Sequence, residues 1–493
     1  MKIKNRLTKI AVWVVLVLFP NVSCTDWLDV QPREQEEAEK LFETEDGFKE
    51  ALAGCYTNLS QTSAYGKELT FGFVSVLGQE WSSGAGVDVS SAAYYQVRRY
   101  NYEDTNVLPF IDNIWAVLYN TIAQLNTLIY YTEQKREVLS DLNYAIIRGE
   151  AFALRAFVHS ELFRLYADVV GMIPENNKIS LPYVTTTKPV ITPQSTNKEF
   201  YDSILLDIAE ALALLEKDPV YTGINPGDAD NGYLVNRQFH LNYYAVLGLK
   251  ARINLYYGNK TVALQTARTI IEANKSKNIF PWILLNNINT TNVNLRDRTF
   301  STEQLFAFNV VKLEENIKGY FRETSSPLVS RIPAAVGVAN SLFPAAGDYR
   351  RLFFETYNGM NDVYSRFWQM PSQQVSGVTT RPERDRIPAI RITEIYYIAA
   401  ESLIGVDNSE ALSLLNEVRT HRGITALPDT PIPADMEIQE EILKEYQREF
   451  LGEGQLFFYH KRLNTTYINT ANADYILPLP STEWDLGMRT KIK

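Results

Sequence analysis

Cysteine occurs only twice in 493 residues, at Cys24 and Cys55, and histidine only four times, at His159, His240, His421 and His460. So few thiols exclude a disulfide framework, which a chain this long does not need because its core is large. No two histidines stand at metal-ligand spacing on one helix, so no zinc motif is present and no metal site is expected. There is no G-x-S-x-G elbow, H-E-x-x-H, phosphate loop or dinucleotide fingerprint. Positive charge is also in short supply: 48 Lys and Arg face 58 Asp and Glu, a net charge of −10. With no basic stripe, nucleic acid and anionic membrane surfaces are poor partners.

Long apolar runs are missing except at the start. Lys2, Lys4, Arg6 and Lys9 form a basic region, and Ile10 to Phe19 is an apolar run of ten residues. A helix needs roughly 20 residues to span a bilayer, so this run suits the core of a secretory signal instead. Pro20-Asn21-Val22-Ser23-Cys24 follows, with a small residue directly before the cysteine, as in a bacterial lipoprotein signal. Residues 1–23 then read as a leader, Cys24 as the lipidated first residue and 24–32 as a tether. Asn21 stands where a bulky aliphatic residue is usual, and ordinary secretion with cleavage nearby is the alternative. Without the leader's four cations the balance against 58 acids moves from −10 to −14. Cys55, in the helical string FKEALAGCYTNL, reads as a small buried hydrophobe.

What the chain has in quantity is helical periodicity. Thr44 caps a helix that runs to Leu59, and Arg33 to Phe42 reads as another helix before it. Ile111, Trp115, Leu118, Ile122, Leu125 and Ile129 share one face of a helix over Leu108 to Tyr131. Further helices are expected over Leu142 to Tyr166 and Phe200 to Leu215. Leu247, Ala251, Leu255, Ala263, Leu264 and Ile270 recur 148 positions later as Ile395, Ala399, Leu403, Ala411, Leu412 and Val418. Small residues at matching positions let paired antiparallel helices approach closely, the geometry of tetratricopeptide-like pairs. Asp407-Asn408-Ser409 supplies the turn and cap inside the second copy, and Gly423 stops it. The fold class expected is therefore mainly all-α: one body, 24–493, built as a solenoid of about four helix pairs within about 108–273 and 388–423. Two stretches break the pattern, about 61–106 and 274–388. They read as an irregular layer of loops packed on the solenoid, with Leu305 to Val310 as one short strand.

Five strings in order resemble the SusD/RagB family of outer-membrane nutrient-binding lipoproteins of Bacteroidetes. They are GEAFALRAFVHSELFRLYADVVGMIP from Gly149, YYAVLGLKARINLYYGNKTVALQTARTII from Tyr243, STEQLFAFNV from Ser301, the span from Arg386 to Arg462 with EYQREFLGEGQLFFYHKR at its end, and YILPLPSTEW from Tyr475. The resemblance implies a lipid-anchored protein facing the outside of the cell. It implies a glycan ligand, or a peptide in some members, and a SusC-like TonB-dependent transporter as partner. It implies no enzyme activity and no cofactor. It also implies a nutrient site in the loops, here Tyr65 to Tyr102 and Asn278 to Trp368. Sugar rings lay their C–H faces on aromatic rings while their hydroxyls take hydrogen bonds from the rim. Trp81, Tyr94, Tyr95, Trp282, Tyr320 and Trp368 are the candidate stackers on this basis, and Asp88, Arg98, Asn101 and Arg322 the candidate polar contacts.

Two other readings fit the sequence less well. A secreted helical glycoside hydrolase needs two placed carboxylates. Glu80, Asp88 and Glu355 lie in irregular regions, but no spacing links them. A scaffold binding protein ligands in a tetratricopeptide groove is opposed by the long non-repeating insert.

Overall fold

The computed structural model describes residues 38–81, 93–227, 229–291, 295–321, 342–357, 360–367, 384–465 and 474–492. Helices α1 (Glu45–Leu59), α2 (Leu108–Gln134), α3 (Asp141–Tyr166), α4 (Asn197–Leu215), α5 (Tyr243–Tyr256) and α6 (Lys260–Lys277) form the first part. Each start has a local reason. Thr44 Oγ1 accepts from Gly47 N at 3.2 Å. Ser140 and Asn242 cap α3 and α5 in the same way, and Thr196 with Glu199 closes a reciprocal capping box on α4. Successive helices pack side by side from α1 through α6. This is the expected solenoid of antiparallel pairs.

The second part carries β1 (Gln304–Asn309), α7 (Leu313–Phe321), β2 (Phe354–Tyr357), β3 (Met360–Tyr364) and β4 (Arg386–Arg391). It then resumes the solenoid with α8 (Ile392–Leu403), α9 (Asn408–His421), α10 (Asp435–Glu449) and α11 (Leu456–Leu463). The two copies of the repeat lie against one another, because α6 packs on α8. Ala251, Ala263, Ala399 and Ala411 are all fully buried at these contacts. Asp407 Oδ1 accepts from Glu410 N at 2.9 Å, as a cap should. Gly423 has φ +75°, and a Cβ there would stand 2.3 Å from the Tyr349 ring, so α9 ends on a glycine for want of room as well as conformation.

One element departs from the expected pattern. The chain before α8 is a strand: β4 pairs antiparallel with β1, Phe306 opposite Ile390 and Phe308 opposite Ile387. Pro388 sits inside β4, which is tolerated because the two-stranded sheet leaves one edge of β4 unpaired. All six residues of β4 are buried, so the strand shows no alternation of polar and apolar residues. β2 and β3 form a separate hairpin.

A buried ionic network joins this strand layer to α9 and α10. Glu449 accepts from Arg422 Nη2 at 2.8 Å and Arg350 Nη1 at 3.1 Å, and pairs with Arg391. Arg422 also grips Glu303 at 2.5 and 2.9 Å. Burial opposes the Glu449 charge, but the guanidinium groups win and hold its carboxyl well below the usual range. At the other end, the buried Lys461 Nζ of α11 donates to Arg164 O at 2.8 Å, Leu165 O at 3.3 Å and Ala167 O at 2.9 Å. It thereby satisfies carbonyls at the C-terminus of α3 that no helix can satisfy alone.

Candidate functional site

The loop layer is organised around an aromatic cluster. Phe71, Trp81, Phe321, Tyr364 and Phe367 are in ring contact, with Trp81–Phe321 at 5.4 Å, Trp81–Tyr364 at 5.2 Å, Phe71–Phe321 at 5.5 Å and Phe71–Phe367 at 5.9 Å. Trp81, Phe321 and Phe367 are also the residues that immediately precede 82–92, 322–341 and 368–383. The candidates Asp88, Arg322 and Trp368 fall in those three segments, outside the described residues, as does the lipidation candidate Cys24.

The cluster corrects the place of Trp81. Its side chain is 1% exposed and its indole N–H donates to Phe71 O at 2.8 Å, so neither ring face is open to a ligand. Tyr94 is also interior: its ring stacks on Phe110 at 5.4 Å and its hydroxyl donates to Glu68 Oε2 at 2.9 Å. Arg98 is a strut, donating to Gln79 Oε1 and Trp81 O at 3.1 Å each. Trp282 lies elsewhere, stacked on His421 at the end of α9 with ring centres 4.4 Å apart.

Tyr320, Tyr95 and Asn101 keep exposed surface. Tyr320, on α7, accepts at its hydroxyl from Lys67 Nζ at 3.0 Å, and the same ammonium lies 4.9 Å above its ring centre. Lys67 is also paired with Glu68 at 2.7 Å. Burial disfavours the Lys67 charge, yet Glu68 and Tyr320 together raise its pKa, so an ammonium is held at this edge. Burial raises the Glu68 carboxyl in turn, against the pull of Lys67. Tyr94 contacts Tyr320 edge-on at 6.3 Å and thereby ties the edge to the interior. Tyr95 lies beside Arg99, whose guanidinium is 5.5 Å from its ring centre. Asn101 lines a cavity of about 470 Å³ together with Tyr100, Tyr102, Asp474 and Trp484.

Lys67, Glu68 and Trp484 were not among the sequence candidates. Lys67 and Glu68 lie in YGKELTFG between two glycines, where a charged pair reads as solvated. The contact with Tyr320, 253 positions away, places Lys67 at the exposed edge.

The carboxylates considered for hydrolysis are occupied otherwise. Glu355 is paired with Arg296 and Arg298 at 2.8 Å each. Glu80 accepts from Gly452 N at 2.6 Å, and burial lifts its carboxyl to about 8. Among the described residues no group of three His, Cys, Asp or Glu side chains is placed to hold a metal ion. No described helix is long and apolar enough to cross a membrane.

Known proteins match both ends of this architecture. The family described as "SusD family" matches residues 320–479, and that described as "Starch-binding associating with outer membrane" matches residues 26–225. A SusD-like protein of Formosa agariphila is 24% identical over 257 residues, which is 51% of this chain and 43% of that relative, so the match spans less than half of the relative's length. A SusD superfamily protein from Bacteroides thetaiotaomicron superposes with TM-score 0.62 at 20% identity, covering 90% of this chain and 98% of its own. A SusD-like carbohydrate binding protein from Bacteroides vulgatus gives TM-score 0.62 at 18% identity, over 85% and 83% of the two chains. A laminarin binding SusD-like protein gives 0.63 at 17%, over 90% and 97%. Two SusD-type family models thus match separate regions of the chain, and its fold is that of SusD superfamily proteins.

Proposed function

We propose that this protein binds a carbohydrate nutrient at the outer surface of the cell and passes it to a SusC-like TonB-dependent transporter. In this reading Cys24 carries the lipid that anchors the body to the outer membrane. Stable anchoring needs more than one acyl chain, which bacterial lipoproteins carry on that cysteine.

The observation that carries the reading is the edge formed by Tyr320 and Lys67. A half-buried aromatic ring lies beside a held ammonium, one residue from the aromatic cluster of the loop layer. A sugar ring stacks on Tyr320, and on Tyr95 where the ligand extends, while Lys67 and Asn101 hydrogen-bond its hydroxyls. Asp88, Arg322 and Trp368 remain proposed contacts, in segments that leave from the same cluster. The family's starch-binding description and the laminarin-binding neighbour support a glycan in particular. Catalysis is not part of the proposal: Glu355 is neutralised by two arginines and Glu80 is an interior group.

The test is titration calorimetry of the purified body against a glycan panel and a peptide library. The reading expects binding to at least one glycan. Binding to peptides alone would replace the carbohydrate by a peptide, and release of reducing sugar would restore the hydrolase.

A further inference from the structure

A second cleft lies on the solenoid side of the loop layer, between α1 and the end of β1. Its volume is about 580 Å³, and Tyr56, Thr62, Phe239, His240, Asn309 and Lys312 are among its walls. Behind it stands Glu150, fully buried on α3. Glu150 accepts from Arg237 Nη1 at 2.5 Å, Tyr56 Oη at 2.8 Å and His240 Nδ1 at 2.8 Å. Burial opposes its charge, but the Arg237 guanidinium and the hydrogen bonds from Arg237 and His240 hold its carboxyl down to about 2, so Glu150 is an anion. Arg237 is itself fixed by Asp218 at 2.6 Å.

This buttress determines how His240 faces the cleft. An anionic acceptor at Nδ1 keeps the proton on Nδ1. Nε2 makes no hydrogen bond among the described residues, so in the neutral ring it is a free acceptor at the cleft wall. Lys312 is exposed and makes no ion pair among the described residues. No carboxylate lines the cleft among the described residues, although the chain carries a net charge of −10. The wall thus combines one fixed acceptor for a hydroxyl, one cation without a counter-charge and three aromatic side chains, Tyr56, Phe239 and Phe308.

We infer that this cleft is a separate binding site for a carboxylate-bearing sugar, a uronic acid residue, with a sugar hydroxyl donating to His240 Nε2 and the carboxylate meeting Lys312. A neutral sugar leaves Lys312 unpaired, and a simple carboxylate leaves His240 Nε2 without a donor. A sugar ring that carries both groups can meet the two together. The site is distinct from the Tyr320 edge. It borders the same helix, since Asn316 of α7 lies in its lining one turn before Tyr320.

The full chain, isotope-labelled at its four histidines, tests the assignment by magnetic resonance with D-glucuronate, D-glucose and acetate as probes. Glucuronate is expected to shift the His240 Nε2 signal saturably, with affinity about threefold to fivefold above glucose, the value of one ion pair at an exposed lysine. Lys312→Met, a change at an exposed position, is expected to remove that preference and keep the fold. An unmoved His240 signal, equal response to glucose or acetate, or a preference that survives Lys312→Met would each overturn the inference. Tyr320→Ala is expected to leave the glucuronate response intact. Loss of panel binding in that variant with an intact His240 response separates the two sites.

Discussion

Glu449→Gln is the sharpest perturbation of the scaffold that carries the site. The change keeps the shape of a fully buried side chain and removes its charge. It leaves Arg391, Arg422 and Arg350 facing an amide in place of a carboxylate. Removing one partner of a buried ion pair costs about 3–5 kcal/mol, mostly because the remaining charge stays desolvated. A folded body is stable by about 5–15 kcal/mol in total, so roughly a fifth or more of the stability should go. Glu303 and Glu445 compensate in part, since Arg422 and Arg350 each keep one of these acids at 2.9 Å or less. That places the expected loss near the lower end, about 3 kcal/mol. The control is Glu410→Gln, which breaks the pair with Arg268 where the two side chains are 38% and 43% exposed. That loss should be under about 1 kcal/mol. Urea unfolding followed by far-ultraviolet circular dichroism reads both, provided the slope with urea is unchanged. A Glu449→Gln midpoint no lower than that of Glu410→Gln would falsify the view that this network locks the strand layer to the solenoid.

Other outcomes follow from single groups. Trp81→Ala should cost about 3–5 kcal/mol of stability, because it empties an interior site and leaves Phe71 O without its donor; a thermal melt reads this. Glu80 has its carboxyl raised to about 8, so the native state holds a proton that the unfolded state releases near pH 4.3. Its stabilising contribution is complete below about 4.3 and is lost as pH rises to about 8. Glu80→Gln should therefore gain on the wild type as pH rises through this window, and parallel denaturation curves across it would expose the error. Cys55 is buried with its thiol pushed up to about 12, so it should resist an aromatic disulfide reagent in the native body and react fully in urea.

The helical part of the fold was legible because its signals are local. Thr44, Asp407 and Gly423 do at the helix ends what their chemistry suggests, and the repeated alanines sit where paired helices touch. The strand β4 was hidden because Ile387, Ala389 and Ile390 run straight into the apolar face of α8 and are buried on both sides, which removes the period of two. The site was less legible than the fold. Trp81 borders a Gly/Ser-rich stretch and so reads as exposed. Its burial comes from Phe321 and Tyr364, more than two hundred positions away in the chain. Tyr320 kept its exposed surface, but the partner that gives it a polar rim, Lys67, is equally distant in sequence. Local pattern reports which residues can form a helix; it does not report which loops meet.

The most direct measurement is the affinity of Tyr320→Ala for a glycan that the wild-type body binds, by calorimetry, with circular dichroism to show that the fold is kept. A stacked ring contributes about 0.5–1.5 kcal/mol beyond its area, so the account predicts affinity weaker by about threefold to tenfold. Unchanged affinity in a folded variant, or a wild-type body that takes up no glycan in the panel, would contradict it.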